Sequence, residues 1–217
     1  MGQGSETDVM SALAAAGIVP VVTITDADAA VALAGTLVDA GLPVIEITLR
    51  TEAALEAIRR IAAEVPGAVV GAGTIRRPAD IEASLEAGAR FLVSPGTPPE
   101  LARAALEAPV PFLPGCATPS EAMTLAELGF GTLKFFPAAA YGGPAALKAF
   151  AAPLAGISFV PTGGVAPDNL ETYLKLPNVP AVGGSWMVNP EWVESGDFAR
   201  IAAETLTAST LARRIRT

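Results

Sequence analysis

Eight times along its 217 residues the chain repeats one unit, a short apolar run followed by a helix-length stretch. The apolar runs are Ile18–Ile24, Val44–Thr48, Ala68–Gly73, Phe91–Ser94, Phe112–Pro114, Leu133–Phe136, Ser158–Pro161 and Pro180–Gly183. Helices are expected over Asp26–Gly41 with Asp26 as N-cap, and over 52–65, 78–88, 98–107, 119–129, 144–152 and 167–176. Closing helical segments are expected over 191–214, and a short helix from near Ser5 to Gly17 precedes the first run. Pro78, Pro98, Pro119, Pro144 and Pro167 open helices, where a missing N–H costs nothing, and Gly41, Gly88 and Gly129 close them. Strand then helix, at spacings of roughly 20–26 residues, is the rhythm of parallel βαβ crossovers. Strands apolar on both faces belong to a parallel sheet covered on both sides. Eight units in this length fit an α/β (β/α)8 TIM barrel better than an open doubly wound sheet. The expected organisation is a single domain over 1–217. Residues 1–17 form an N-terminal extension with an extra helix, 18–190 the barrel core and 191–217 the C-terminal helices.

Composition excludes several classes of function. The 14 Lys and Arg against 22 Asp and Glu leave a net charge of −8, so no basic surface favours nucleic acid or a membrane. An anionic substrate must be held by local groups against a repulsive field. No histidine is present, which removes Ser-His-Asp and Cys-His catalysis and the commonest zinc and non-haem iron ligand sets. The single cysteine, Cys116, cannot form an intrachain disulfide and points to a reducing compartment. Between Gly115 and Ala117 it reads as a small buried filler more readily than as a nucleophile. The start, Met1 to Asp8, lacks the basic and apolar regions of a signal peptide, and Glu6 stands where a myristoylation motif wants Ser or Thr. Residues 149–167 carry no charge, but Pro153, Gly156, Pro161, Gly163 and Gly164 break them into a helix end, a loop and a strand. The expected location is the cytoplasm.

In such a barrel the active site lies at the C-terminal ends of the strands. There, in Thr132-Leu133-Lys134-Phe135-Phe136-Pro137, one lysine stands in an otherwise apolar run. Lysine is seldom fully buried without a partner or a chemical role, and its neutral amine is a nucleophile toward carbonyl carbon. Locally, an edge-strand lysine reaching water is the competing reading. Glu46 and Thr48 share one face of the second strand by period-two alternation. A carboxylate in a strand covered on both sides needs a cation, and one beside an amine could also move protons during imine formation. Arg50 offers a bidentate fork for a carboxylate, or is only a helix-entry charge. Strand seven ends in Thr162-Gly163-Gly164 and strand eight in Gly183-Gly184-Ser185. Glycines there let backbone N–H groups approach an anion, Ser185 adds a hydroxyl, and barrels often bind phosphate at these two loops.

Six ordered blocks carry a family resemblance. Ile45-Glu46-Ile47-Thr48-Leu49-Arg50-Thr51, Gly71-Ala72-Gly73-Thr74, Ser94-Pro95-Gly96, Lys134-Phe135-Phe136-Pro137-Ala138, Pro161-Thr162-Gly163-Gly164 and Gly183-Gly184-Ser185-Trp186-Met187 resemble 2-keto-3-deoxy-6-phosphogluconate (KDPG) aldolase. This is the class I aldolase family of the Entner–Doudoroff pathway, and the similarity runs from about Gly17 to Arg200. The resemblance implies that Lys134 forms a Schiff base with pyruvate or the keto acid. Glu46 would be the general acid/base, through a water. Arg50 and Thr74 would meet the carboxylate end, and Pro95 and Phe136 would shape the pocket. Thr162 would sit near the substrate hydroxyls, with Gly163, Gly164, Gly184 and Ser185 on the phosphate. It further implies a homotrimer, no cofactor and no metal. Two stretches depart from the family pattern and bear on substrate preference. Ala139-Ala140-Tyr141 stands where an acidic residue often follows Pro-Ala, and Gly115-Cys116-Ala117-Thr118 replaces the usual Gly-Ile-Ser-Thr.

The implied reaction is reversible cleavage of KDPG to pyruvate and D-glyceraldehyde 3-phosphate. Cleavage of 4-hydroxy-2-oxoglutarate, or of the 6-phosphogalactonate epimer, could run on the same lysine and glutamate. A non-catalytic sugar-phosphate-binding or scaffold barrel would show a degraded site, yet Lys134, Glu46, Arg50 and Thr74 are all present. A barrel isomerase would have no need of a lysine on strand six.

Overall fold

The computed structural model describes residues 3–216. Met1 and Gly2, where the expected N-terminal extension and any leader would begin, lie outside that range, as does Thr217. Helix α1 (Gln3–Ala16) leads into β1 (Ile18–Val22), α2 (Asp28–Asp39), β2 (Val44–Thr48), α3 (Ala54–Glu64), β3 (Val69–Gly73), α4 (Pro78–Glu86), β4 (Leu92–Val93) and α5 (Pro99–Leu106). Then follow β5 (Phe112–Leu113), β6 (Gly115–Cys116), α6 (Pro119–Glu127), β7 (Thr132–Phe135), a 3-10 turn (Ala139–Tyr141), α7 (Gly143–Phe150) and β8 (Ser158–Pro161). The chain closes with α8 (Leu170–Leu174), β9 (Val182–Gly184), α9 (Pro190–Glu194) and α10 (Phe198–Arg216).

The paired strands run parallel, in the orders β5-β4-β3-β2-β1-β9 and β6-β7-β8. Two links join these sheets. The chain runs from β5 to β6 through Pro114, and a parallel bridge couples Thr162, just past β8, to Gly183 of β9. The result is an α/β fold around a curled parallel sheet.

Period-two alternation divides the core. Ile45 and Ile47 of β2 belong to a large cluster under the helices, with Leu33, Leu37, Ile58 and Ile61 of α2 and α3. Val44 of the same strand belongs to a second cluster with Val19, Phe91, Val93, Leu113, Val160 and Ala181, into which α1 packs Val9 and Leu13. Each fully buried Leu, Ile or Val contributes about 1.5–3 kcal/mol, so the sheet is stabilised from both faces. By the same alternation, Glu46 and Thr48 lie on Val44's face. The polar site thus stands on an apolar floor.

Three expected elements differ. The fifth apolar run splits at Pro114, because proline has no N–H for the ladder; its carbonyl still accepts from Lys134 N at 2.8 Å. The helix expected over 167–176 shortens to Leu170–Leu174, since Asn169 draws the preceding loop out of helical geometry. Asp26 is not the N-cap of α2. That position is Ala27, and the Asp26 carboxylate accepts the Asp28 N–H at 2.9 Å from one residue earlier. The uncharged stretch 149–167 divides into the end of α7, a turn and β8. Among the described residues no helix is long and apolar enough to cross a membrane.

Between β4 and β6, side chains bond where no ladder pairing joins the strands. Ser94, fully buried, accepts the Gly115 N–H at 3.0 Å and shares a 2.8 Å hydrogen bond with Thr97, whose hydroxyl reaches the Gly115 carbonyl at 3.1 Å. Both polar groups of Gly115 are thereby satisfied, and Gly115 pairs with Lys134 in register. Ser94→Ala leaves a buried N–H unpaired, which should cost about 1–3 kcal/mol. Urea denaturation should show a lower midpoint with an unchanged m-value. An unchanged midpoint would show that this seam does not depend on the hydroxyl.

Candidate active site

Strand β2 brings up Glu46 and strand β7 brings up Lys134, residues 88 positions apart in sequence. Lys134 Nζ donates to Glu46 Oε1 at 2.9 Å and to Oε2 at 3.3 Å. Both residues are buried, at 5% and 3% exposure. Taking both charges out of water costs several kcal/mol per ion, which only close, hydrogen-bonded geometry offsets. The edge-lysine reading does not survive, because this head group is turned inward onto a carboxylate.

Phe136 stands beside the pair, with its ring centroid 5.6 Å from Lys134 Nζ. Phe135 points to the opposite face, as alternation requires, and stacks edge-on against Phe150 and Phe159 in the outer core.

Glu46 owes its position to Gly73. A Cβ on Gly73 would run into the Glu46 carboxylate and its Cγ. The sequence showed Gly73 as part of a strand-end motif but not this steric reason for it. One residue on, Thr74 has φ 64°, in the left-handed region that a β-branched side chain rarely adopts. Its hydroxyl accepts from Arg50 Nε at 3.3 Å, which brings Arg50 and Thr74 together at the ends of β2 and β3. Arg50 is exposed and Thr74 half-buried. Thr48, fully buried, donates to the Val22 carbonyl at 3.0 Å and shares a 2.9 Å hydrogen bond with Thr23, tying β2 to β1 below Arg50.

The remaining expected residues gather at the same ends of the strands. Pro95 lies one residue past Ser94, and its backbone abuts Gly115, where a Cβ would strike it. Thr162 is buried with its hydroxyl against Gly183, where a Cβ has no room either. Gly163 and Gly164 have φ 96° and 79°, so this turn requires glycine. Gly184 is buried beneath the Trp186 ring, whereas Ser185 is exposed. Cys116 is buried, and desolvation, aided by Glu121, pushes its thiol up to about 12. At neutral pH it is an inert filler, as expected. Glu121 accepts the Ala117 and Thr118 N–H groups at 2.9 Å each, and these bonds lower its pKa and hold the turn after β6.

A cavity of about 670 Å³ opens to one side of this centre, where Arg76, Pro95, Thr97, Gly115, Glu121 and Leu125 are among its lining residues. Lys134 and Glu46 do not line it. Among the described residues no group of three or more His, Cys, Asp or Glu side chains could hold a metal ion. The chemistry the geometry offers is that of an amine and a carboxylate in contact.

Comparison with known proteins agrees with that chemistry. A family model described as KDPG and KHG aldolase matches residues 9–204. The chain belongs to this aldolase family. It is 45% identical over 196 residues to the KHG/KDPG aldolase of Escherichia coli, covering 90% of this chain and 92% of that one. It is 47% identical over 198 residues to the 2-dehydro-3-deoxy-phosphogluconate aldolase of Dickeya dadantii, covering 91% and 93%. A crystal structure of KDPG aldolase from Legionella pneumophila, with pyruvate captured as a covalent carbinolamine intermediate, superposes with a TM-score of 0.89 at 38% identity. That match covers 92% of this chain and 97% of the other.

The site generates one direct test of its packing. The Gly73 backbone is accessible to alanine, and the obstructing atoms belong to a flexible side chain, so Gly73→Ala should displace Glu46 and spare the fold. Turnover should fall about 100-fold, on the scale of losing a positioned acid/base group, while circular dichroism shows the fold retained and the melting temperature falls, because the displaced carboxylate leaves the buried Lys134 ammonium poorly paired. Wild-type turnover in this variant would contradict the assignment of Glu46's position to Gly73.

Proposed function

We propose that this chain is a class I aldolase that reversibly cleaves KDPG to pyruvate and D-glyceraldehyde 3-phosphate. The observation that carries the reading is the buried Lys134–Glu46 contact at the centre of a chain belonging to this family. Lys134 transfers its proton to Glu46 and attacks C2 of the keto acid. The resulting carbinolamine loses water, with protons moved by Glu46, to give an iminium. Glu46, directly or through a water, then takes the C4 hydroxyl proton. The C3–C4 bond breaks, its electron pair passes into the iminium, and the aldehyde departs. Protonation of the enamine at C3 and hydrolysis release pyruvate and restore the lysine.

Arg50 and Thr74 bind the carboxylate, Pro95 and Phe136 shape the keto-acid pocket, and Thr162 meets the hydroxyls. Gly163, Gly164, Gly184 and Ser185 bind the phosphate through backbone N–H groups and one hydroxyl. That mode of binding suits a chain of net charge −8, because it needs no basic patch. The reaction requires neither metal nor cofactor. In this reading the two sheets close as a single-domain (β/α)8 barrel, supported by chain continuity at Pro114 and by the Thr162–Gly183 bridge. The protein acts as a cytoplasmic homotrimer, with no nucleic-acid or membrane partner. A second substrate, 4-hydroxy-2-oxoglutarate, is favoured by the dual name of the Escherichia coli relative.

Wild-type protein should form pyruvate and glyceraldehyde 3-phosphate one to one from KDPG, read by coupled dehydrogenase assays. It should form pyruvate more weakly from 4-hydroxy-2-oxoglutarate, which lacks the phosphate. Glu46→Gln should lower kcat by about 10²–10⁴-fold, and Lys134→Met by more than about 10⁴-fold. Substantial cleavage by Lys134→Met, or no pyruvate from either substrate with wild type, would overturn the reading.

A further inference from the structure

The turn after β8 is held in an unusual way: three consecutive carbonyls are each taken by a donor outside the turn. The Thr162 carbonyl accepts the Ala138 N–H at 2.8 Å, and the Gly163 carbonyl accepts the Ala139 N–H at 3.0 Å. The Gly164 carbonyl accepts Asn169 Nδ2 at 2.9 Å. In a planar trans peptide the N–H points opposite to the C=O. Fixing these carbonyls therefore aims the N–H groups of Gly163, Gly164 and Val165. The first two carbonyls turn toward the segment that follows β7, so the Gly163 and Gly164 N–H groups turn toward the other flank of β8. On that flank lies β9, bridged at Thr162–Gly183, with Gly184 and Ser185 beyond it.

Only Asn169 governs the third member of this series. Its other amide atom, Oδ1, accepts the Ala166 N–H at 3.0 Å. One half-buried side chain thus orients the Val165 N–H and removes the Ala166 N–H from use. The two glycines supply the left-handed conformation, and at Gly164 also the space, since a Cβ there would strike Ala139. They do not determine where the turn ends. Asn169 does.

We propose that Asn169 is a positioning residue for anion binding. By pinning Gly164 and Ala166, it sets which backbone N–H groups face the phosphate held between the turns after β8 and β9. Its substrate arm rests on the aldolase reading above, whereas its phosphate arm does not. Loss of the amide leaves the Gly164–Val165 peptide free to rotate and weakens the cradle without touching Lys134 or Glu46. A role confined to holding the turn before α8 together would instead disturb folding and affect all ligands alike.

The test compares wild type, Asn169→Ala and Asn169→Asp as full-length proteins, each checked for its melting transition. Asn169→Asp keeps an acceptor for the Ala166 N–H but cannot donate to Gly164, so it separates the hold on Gly164 from the hold on Ala166. Inorganic phosphate binding is measured by calorimetry, KDPG cleavage by coupled assay, and exchange of pyruvate methyl protons in D2O by NMR. Exchange needs the Schiff base but no phosphate. In both variants the phosphate Kd and the KM for KDPG should rise about tenfold, the worth of one well-placed hydrogen bond. Pyruvate exchange should stay within about twofold of wild type, a margin well inside that tenfold effect. Unchanged phosphate affinity, absence of phosphate binding by wild type, or exchange falling in step with phosphate affinity would each overturn the proposal. Absence of exchange and cleavage in wild type would overturn the aldolase reading instead, while the phosphate titration still decides the role of Asn169.

Discussion

The ion pair between Lys134 and Glu46 is the interaction on which the rest of the molecule depends. Two opposite charges buried at 5% and 3% exposure are costly alone and tolerable only together. Removing either partner would strand the other, at a cost of about 3–5 kcal/mol. The contact also joins the two sheets, since Glu46 comes from β2 of one and Lys134 from β7 of the other. A pair that holds the halves of the fold together is here also the pair that can exchange a proton. When the proton passes to the carboxylate, both groups become neutral and the amine becomes a nucleophile.

Much of the surrounding structure serves to keep that contact in place. Gly73 leaves room for the carboxylate, Thr48 ties β2 to β1, and Ser94 with Thr97 secures Gly115 beside Lys134. Phe136 closes one side, while Phe135, facing the other way, anchors β7 in the outer core. Charge is scarce elsewhere at the centre. Under the proposed function, recognition of an anion falls instead to backbone N–H groups aimed by hydrogen-bonded carbonyls and to Arg50 at the rim. Such dipoles are fixed by the fold and need no net positive charge.

The legible part of this molecule was the part written in periodicity. Alternating apolar runs and helices revealed the parallel α/β class, and Lys134 and Glu46 stood out because each broke an apolar run. Prolines and glycines marked most helix ends to within a few residues. What stayed hidden depends on atoms meeting across the fold. The division of the fifth strand at Pro114 could have been read from the missing donor, but its repair by Ser94 could not. Gly73 carried no mark separating room for a carboxylate from an ordinary turn glycine. Asn169, two residues past Pro167, had nothing in the sequence to set it apart, and its two hydrogen bonds, to Gly164 and Ala166, show only in three dimensions. Phe135 and Phe136 could have been told apart by strand alternation alone.

The central claim is that the buried amine of Lys134 is the covalent centre. Reduction of the protein with borohydride in the presence of pyruvate, followed by peptide mapping by mass spectrometry, tests it most directly. The chain has two other lysines, Lys148 and Lys175, both exposed, and they serve as internal controls. The account predicts one stoichiometric adduct on Lys134, lost in Lys134→Met. No adduct, or an adduct on Lys148 or Lys175 with Lys134 unmodified, would contradict it.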